Sequence, residues 1–240
     1  MTARKIIRWK DLTQFSGDSF FQSMMGHGLF ATCNSELIDK LVDRGFLIPP
    51  PNCPTFVDQV KSVERSIFAP ISSQVYSNQP VSYPSTQSAF STPQFHAQIL
   101  SVIASRLGPG RKAMEIGCGS GYLPAVMTSL GCDKVFAIEN SEALLEKAIS
   151  NLKHFDNCFV QKSAPKGVIF DAVSISPYFE SFSQLEDFAA SNIIFSDDAI
   201  LVAAYRESPT QMEQQLVVHE RTGSEWKKQP LFRVICEPFR

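Results

Sequence analysis

The sequence predicts an α/β protein of Rossmann-like, doubly wound design: a mostly parallel sheet, an antiparallel hairpin at its C-terminal edge, and an N-terminal helical extension. Three observations carry that prediction. From Ala113 onward, apolar strand-like runs alternate with helical patterns. Glycines at every second position, Gly117, Gly119 and Gly121, join one such strand to one such helix. A second strand, Lys134 to Ile138, ends in Glu139, 22 residues beyond Gly117. Alternation of this kind argues for parallel strands covered on both faces. An acid about 20 residues past a glycine turn stands where doubly wound folds bind ribose hydroxyls.

In chain order, residues 1–34 have poor periodicity and are set apart as an N-terminal extension. Residues 35–240 are read as one domain, with a helical cap over 35–107 and a Rossmann-like core over 108–240. A short helix opens at Ser35 and ends near Gly45, and Pro49-Pro50-Pro51 blocks its continuation. Phe56, Val60, Val63 and Ile67 recur at helical spacing and predict a helix from Phe56 to Phe68. The stretch from Pro70 to Gln94 has no charged residue, seven serines, four prolines and four glutamines. It also carries Val75, Tyr76, Val81, Tyr83 and Phe90, too much apolar surface for a solvated spacer, so a packed loop facing a ligand is expected. Thr92-Pro93 supplies an N-cap and a first-turn proline. The helix that follows places Phe95, Ile99, Ile103 and Leu107 on one face. Strands are expected near 112–117, 134–139, 157–162, 168–175 and 198–205, and helices near 121–130, 141–154 and 183–191. Ser141 or Asn140 would cap the helix whose stripe is Leu144, Leu145, Ala148, Ile149 and Leu152. Gln211–His219 and Pro230–Cys236, around a turn at Thr222-Gly223-Ser224, predict the edge hairpin.

Composition narrows the function. A chain of 240 residues, 44% hydrophobic, can bury one substantial core. Net charge is −2 with no block of like charges, which argues against a nucleic-acid surface, since those rely on clustered Lys and Arg. No apolar run approaches the roughly 18 residues of a membrane span. The cysteines (Cys33, Cys53, Cys118, Cys132, Cys158 and Cys236) form no C-x-x-C pair, and His27, His96, His154 and His219 are scattered. A metal site is therefore not expected, and thiols in predicted strands point to a reducing compartment. The cytoplasm is the expected location. Arg4, Lys5, Arg8 and Lys10, with no acid among the first ten residues, are also compatible with a mitochondrial targeting segment.

The chemistry concentrates at Glu115-Ile116-Gly117-Cys118-Gly119-Ser120-Gly121. A turn from strand to helix that lets a ligand reach the main chain needs residues without Cβ. The ligand then sits at a helix N-terminus, and the acid at the strand end can hold a cation or a hydroxyl. The dinucleotide fingerprint G-x-G-x-x-G would place its third glycine at Tyr122. E-x-G-x-G-x-G instead resembles the first motif of S-adenosylmethionine-dependent methyltransferases, whose cofactor has an amino acid and a sulfonium but no pyrophosphate. Glu139 would then bind the ribose, or serve as an ordinary first-turn acid of the next helix.

Further segments resemble the protein-L-isoaspartate O-methyltransferase family across about residues 35–240. Val63-Glu64-Arg65-Ser66-Ile67-Phe68 is similar to its V-x-R-x-x-F. Tyr76, Asn78 and Pro80 stand where the family tends to have Y-x-D-x-P. Ala89-Phe90-Ser91-Thr92-Pro93-Gln94-Phe95-His96-Ala97 is similar to its T-I-S-x-P-x-x-x-A, and Gln229 to Ile235 to its last strand. The resemblance implies S-adenosyl-L-methionine as cofactor and the isoaspartyl carboxylate of damaged proteins as substrate, hence protein repair. It implies Ser91 as the catalytic serine, orienting that carboxylate. It also implies a cofactor-binding set of Thr92, His96, Glu115, Gly117, Cys118, Gly119, Gly121, Glu139 and Asn140. Helix capping by Ser91 and simple packing of His96 stand as the alternatives.

Departures from the family pattern are also legible. Where the family has Gly-Asp-Gly after its third strand, with the aspartate on the adenine, this chain has Val160-Gln161-Lys162-Ser163-Ala164-Pro165. Ser174-Ile175-Ser176-Pro177 is bulkier than the small-residue run bordering the substrate. Phe195-Ser196-Asp197-Asp198 replaces a P-G-G turn, and Ala89 replaces a threonine. These keep open a second reading, a catalytically degenerate subunit of a larger assembly with a protein partner.

Overall fold

Parallel strands buried on both faces need apolar residues at consecutive positions, and the two strands flanking the glycine turn have them. The computed structural model describes residues 63–71, 80–84 and 86–239. Within these lie, in chain order, β1 (Val81–Ser82), β2 (Ala89–Phe90), α1 (Pro93–Ile103), β3 (Lys112–Ile116), α2 (Tyr122–Ser129), β4 (Lys134–Ile138) and α3 (Glu142–Leu152). β5 (Cys158–Gln161), β6 (Ile169–Phe179), α4 (Phe182–Asn192), β7 (Ile194–Tyr205), β8 (Gln214–Thr222) and β9 (Glu225–Val234) follow. The chain divides into two compact units, one ending at Val102 and the other running from Ile103. The expected extension over 1–34, the helix from Ser35, the prolines at 49–51 and residues 56–62 of the next helix lie outside the described residues.

The second unit is the Rossmann-like core. Its seven strands are ordered β5-β4-β3-β6-β7-β8-β9. β5, β4, β3, β6 and β7 pair in parallel, and β8 and β9 add the antiparallel edge. Ala113, Met114 and Ile116 of β3 and Val135 to Ile138 of β4 are all buried. Met114 and Ile116 of β3 and Phe136 and Ile138 of β4 join Val173 and Ile175 of β6 and Leu185 of α4 in one core cluster. The chain leaves β3 toward β4 on one side and β6 on the other, which opens a crevice at the strands' carboxyl ends. The glycine turn occupies that crevice. No helix among the described residues is long and apolar enough to cross a membrane.

Several boundaries differ from the sequence reading. β6 continues to Phe179 through Ser176-Pro177, because Tyr178 is held from outside the pattern. Its N–H donates to Glu237 O at 2.8 Å and its carbonyl accepts from Phe239 N at 2.7 Å. β7 begins at Ile194, pairing with Ile169, and the polar run Ser196-Asp197-Asp198 is absorbed by a register shift before Ile200 meets Ala172. β9 starts at Glu225, since the two-residue connection after Thr222 leaves Thr222 opposite Glu225.

In the first unit, Arg65–Ile67 is a 3₁₀ turn rather than the end of an α-helix. The stretch expected as a loop contains a minimal hairpin, with Val81 opposite Phe90 and Ser82 opposite Ala89. α1 starts at Pro93 and is capped by Thr92, whose Oγ1 accepts from Phe95 N at 3.1 Å. Regular helix ends at Ile103 and tightens to 3₁₀ over Ala104–Arg106.

Candidate functional site

The glycine turn is built by backbone that L-residues avoid. Gly117, Gly119 and Gly121 have φ of 75°, 57° and 94°, all in the left-handed region. The turn is tied to β4, since the N–H groups of Gly117 and Cys118 donate to Ile138 O at 2.8 and 3.0 Å. Gly121 is the N-cap of α2. Two of the three glycines are required by the protein's own packing. A Cβ on Gly117 would lie 2.6 Å from Pro177 Cδ, and one on Gly121 would lie 2.6 Å from Leu152 Cδ1.

Two carboxylates face this turn. Glu139, buried at the end of β4, accepts from Gly119 N through Oε2 at 2.8 Å and from Ser141 N through Oε1 at 2.9 Å. It thereby clamps the middle of the glycine turn to the start of α3. Ser141 is the N-cap of α3, but its side chain makes no capping bond; the Glu139 carboxylate takes the N–H of Ser141 itself. Asn140 is exposed.

Glu115, at the end of β3, is 3% exposed. Its Oε1 accepts from Ser176 Oγ at 3.0 Å, while Oε2 is buried with no hydrogen-bond partner among the described residues. Burial pushes this carboxyl up to about 8; the Ser176 bond opposes the shift and the Glu139 charge adds to it. Burial, with the Glu115 and Glu139 charges, also raises the Cys118 thiol, so Cys118 is a packed thiol rather than a nucleophile. Among the described residues, no group of three or more His, Cys, Asp or Glu side chains is arranged to hold a metal ion.

Ser91, Thr92 and His96 belong to the first unit. Ser91 lies between β2 and α1, and the residue that caps α1 is Thr92. His96 is buried, accepts through Nδ1 from the Arg65 guanidinium, and meets the Phe90 ring edge-on with centroids 5.3 Å apart. Burial, then the Arg65 charge, holds its imidazole well below the usual range. Arg65 also donates to the Ser91 carbonyl and lies 4.2 Å over the Phe90 ring.

The structure thus gathers Glu115, Gly117, Cys118, Gly119 and Glu139 at one turn, and Ser91, Thr92 and His96 around one arginine. Sequence reasoning did not single out Arg65, Ser176 or Pro177 as site residues. For Arg65 a signal existed, a cation between Val63 and Phe68, both buried. Ser176 and Pro177 meet their partners across about 60 residues of chain, and no local pattern announces that contact.

A family model described as protein-L-isoaspartate(D-aspartate) O-methyltransferase matches residues 32–171. The chain is 34% identical over 122 residues to protein-L-isoaspartate O-methyltransferase of Caenorhabditis elegans, covering 50% of this chain and 51% of that protein. It is 26% identical over 148 residues to protein-L-isoaspartate O-methyltransferase 2 of Arabidopsis thaliana, covering 60% and 46%. The chain thus spans about half the length of these curated relatives. Among solved structures, it is similar to one from Plasmodium falciparum described as a protein-L-isoaspartate O-methyltransferase in complex with S-adenosyl-L-homocysteine. That match has a TM-score of 0.64 at 21% identity, over 87% of this chain and 98% of that one, which is a likeness of fold.

Proposed function

This chain belongs to the protein-L-isoaspartate O-methyltransferase family, and on that premise we propose that it methylates isoaspartyl carboxylates in damaged proteins, using S-adenosyl-L-methionine. The observation that carries the proposal is the pair of buried acids on the glycine turn. Glu115 keeps one oxygen without a partner, and an orphaned buried acceptor calls for a donor. The ammonium of the cofactor's amino acid is such a donor. Glu139 already holds Gly119 N and Ser141 N, and each of its oxygens has a second lone pair for ribose hydroxyls. These residues fit the cofactor.

When bound, the cofactor supplies an electrophilic methyl on a sulfonium. The chain's own work is alignment. An isoaspartyl carboxylate is ionised at neutral pH, so methyl transfer requires no strong base. Ser91 Oγ–H donates to that carboxylate and sets its approach, which is positioning rather than nucleophilic catalysis. His96, buried and held neutral beside Arg65, is the cofactor-side candidate of the same segment. Four buried or half-buried free thiols, Cys118, Cys132, Cys158 and Cys236, support a reducing compartment, the cytoplasm or the mitochondrial matrix.

The test is methyl incorporation and methanol release from an isoaspartyl peptide, against the same peptide with normal aspartate. Activity confined to the isoaspartyl peptide and abolished in Ser91→Ala is expected. Undiminished activity in Ser91→Ala refutes the serine's role. A second reading, a methyltransferase fold retained without catalysis in a larger assembly, is favoured by the β5 end. There Lys162 pairs with Glu142 at 2.6 Å where the family pattern has an acid. Calorimetric titration with S-adenosylhomocysteine separates the two: micromolar binding supports the enzyme, and absence of binding the degenerate subunit.

A further inference from the structure

We propose that Arg65 is the positioning residue of the Ser91 segment, a cation that holds the Ser91 peptide by its carbonyl and locks His96 as the Nε2–H tautomer. The proposal deepens the methyl-transfer reading and rests on it for the importance of Ser91. The geometry of the arginine stands by itself.

Arg65 opens a 3₁₀ turn and is 3% exposed. The turn is fixed at both ends. Phe68 N donates to Arg65 O at 3.1 Å, and the Glu64 carboxylate accepts from Ser66 N at 3.1 Å. One terminal nitrogen of the guanidinium meets His96 Nδ1, and the other meets the Ser91 carbonyl. Its central carbon lies over the Phe90 ring, 4.2 Å from the centroid. One planar fork therefore grips three residues of a seven-residue segment, Phe90, Ser91 and His96, and the helix bond from His96 N to Thr92 O at 3.2 Å closes the unit.

The donor inventory then decides the tautomer. A guanidinium has N–H donors, no acceptor, and does not lose its proton in proteins. His96 Nδ1 must therefore be the acceptor, which leaves the imidazole proton on Nε2. Protonating Nδ1 would place an N–H against an N–H and a cation against a cation. Burial and the adjacent Arg65 charge disfavour the imidazolium for the same reason. His96 is thus a fixed neutral donor through Nε2, unable to serve as a proton acceptor there. Lysine is no substitute, because an ammonium is a point charge without the flat fork that reaches two acceptors while stacking on a ring.

The test uses the full chain carrying ¹⁵N-labelled histidine. Four histidines are present, and the His96 signals are those lost in His96→Gln. In the wild-type protein, His96 should show an unprotonated Nδ1 and a protonated Nε2, unchanged between about pH 6 and pH 8. A proton on Nδ1, or titration within that window, overturns the proposal. Arg65→Lys should let His96 titrate or exchange tautomers. It should also lower kcat on an isoaspartyl peptide on the order of 10²-fold with KM for the peptide little changed, as misplacement of an aligned group does. Unchanged kcat in a folded Arg65→Lys protein overturns the positioning role. Where that variant does not fold, the wild-type spectrum decides alone. Should the wild-type protein transfer no methyl group, the proposed function fails, and the spectrum still judges the arginine.

Discussion

Glu115→Gln should stabilise the ligand-free protein at alkaline pH. The carboxyl is 3% exposed, one oxygen has no partner, and burial lifts it from 4.5 to about 8. A carboxyl whose folded pKa exceeds its unfolded one keeps its proton in the native state while the unfolded chain releases it. Stability is then retained below the unfolded pKa and lost as pH rises toward the folded one. Integrating between those two pKa values gives a loss of about 3 kcal/mol from about pH 5.5 to pH 8.5. For a chain of this size that is a fall in Tm of roughly 6–12 °C. The amide of Gln is nearly isosteric and uncharged, so the variant should lose this slope. At about pH 8.5 it should melt above the wild type, and at about pH 5.5 the two should converge. The assay is thermal unfolding by circular dichroism across pH, without ligand. A cationic ligand at Oε2 would favour the ionised carboxyl, so S-adenosylhomocysteine should release a proton on binding and bind more tightly as pH rises. Parallel pH profiles for wild type and Glu115→Gln would refute the claim that this carboxyl is uncompensated.

Two further outcomes follow from packing. Gly117→Ala places a Cβ 2.6 Å from Pro177 Cδ at a φ of 75°, and strain plus overpacking should cost about 2–5 kcal/mol in urea unfolding. In a Pro177→Ala background the same change should cost at least about 1 kcal/mol less; additivity would show that the proline ring is not what requires the glycine. Phe239→Ala removes a ring stacked on Phe179 at 4.5 Å and set edge-on to Phe188 at 4.6 Å, and should cost about 1.5–3 kcal/mol. A change below about 0.5 kcal/mol would mean that the C-terminal segment does not secure the end of β6.

How far the sequence was legible depends on whether the deciding contact is local. β3, β4 and the glycine turn were readable because burial on both faces writes a continuous apolar run, and because a left-handed turn selects glycine directly. The position of Glu139 was readable for the same reason, as a fixed offset within one βαβ unit. Its partners were not, since the bonds to Gly119 N and Ser141 N depend on how the turn folds back over the end of β4. The reason for two of the glycines was also out of reach. Pro177 and Leu152 stand 60 and 31 residues from the glycines they crowd, and the sequence signal for a packed glycine equals that for a ligand-approached one. The ends of β6 and β7 were hidden by polar residues and a proline held in register by the C-terminal segment and a bulge. Arg65 and His96 meet across 31 residues, so each had a place in its own motif but no sign in the sequence that the two pair.

The departures from the family pattern do not weigh equally on the proposed chemistry. At the end of β5 the Gln161 amide turns back to donate to Ser163 O at 2.7 Å, and Lys162 pairs with Glu142 in solvent. Among the described residues, the end of β5 itself carries no carboxylate that could serve an adenine amino group. A neutral hydrogen bond of that kind contributes about 0.5–1.5 kcal/mol, which is at most about tenfold in affinity. It acts far from the reacting methyl, so it bears on binding in ground and transition states alike. On the proposed reading Glu115 and Gly119 would take the amino acid end of the cofactor, whose placement would fix the sulfonium. Here the structure supplies a buried unpartnered carboxylate oxygen and a backbone clamp. Weakened adenine recognition with an intact amino acid end predicts a cofactor Kd raised by about one decade and a largely preserved kcat. Damage at Glu115, at the clamp of Gly119 by Glu139, or at the arginine-held Ser91 would instead bear on catalysis. At none of these three is the side chain that does the work missing from this chain.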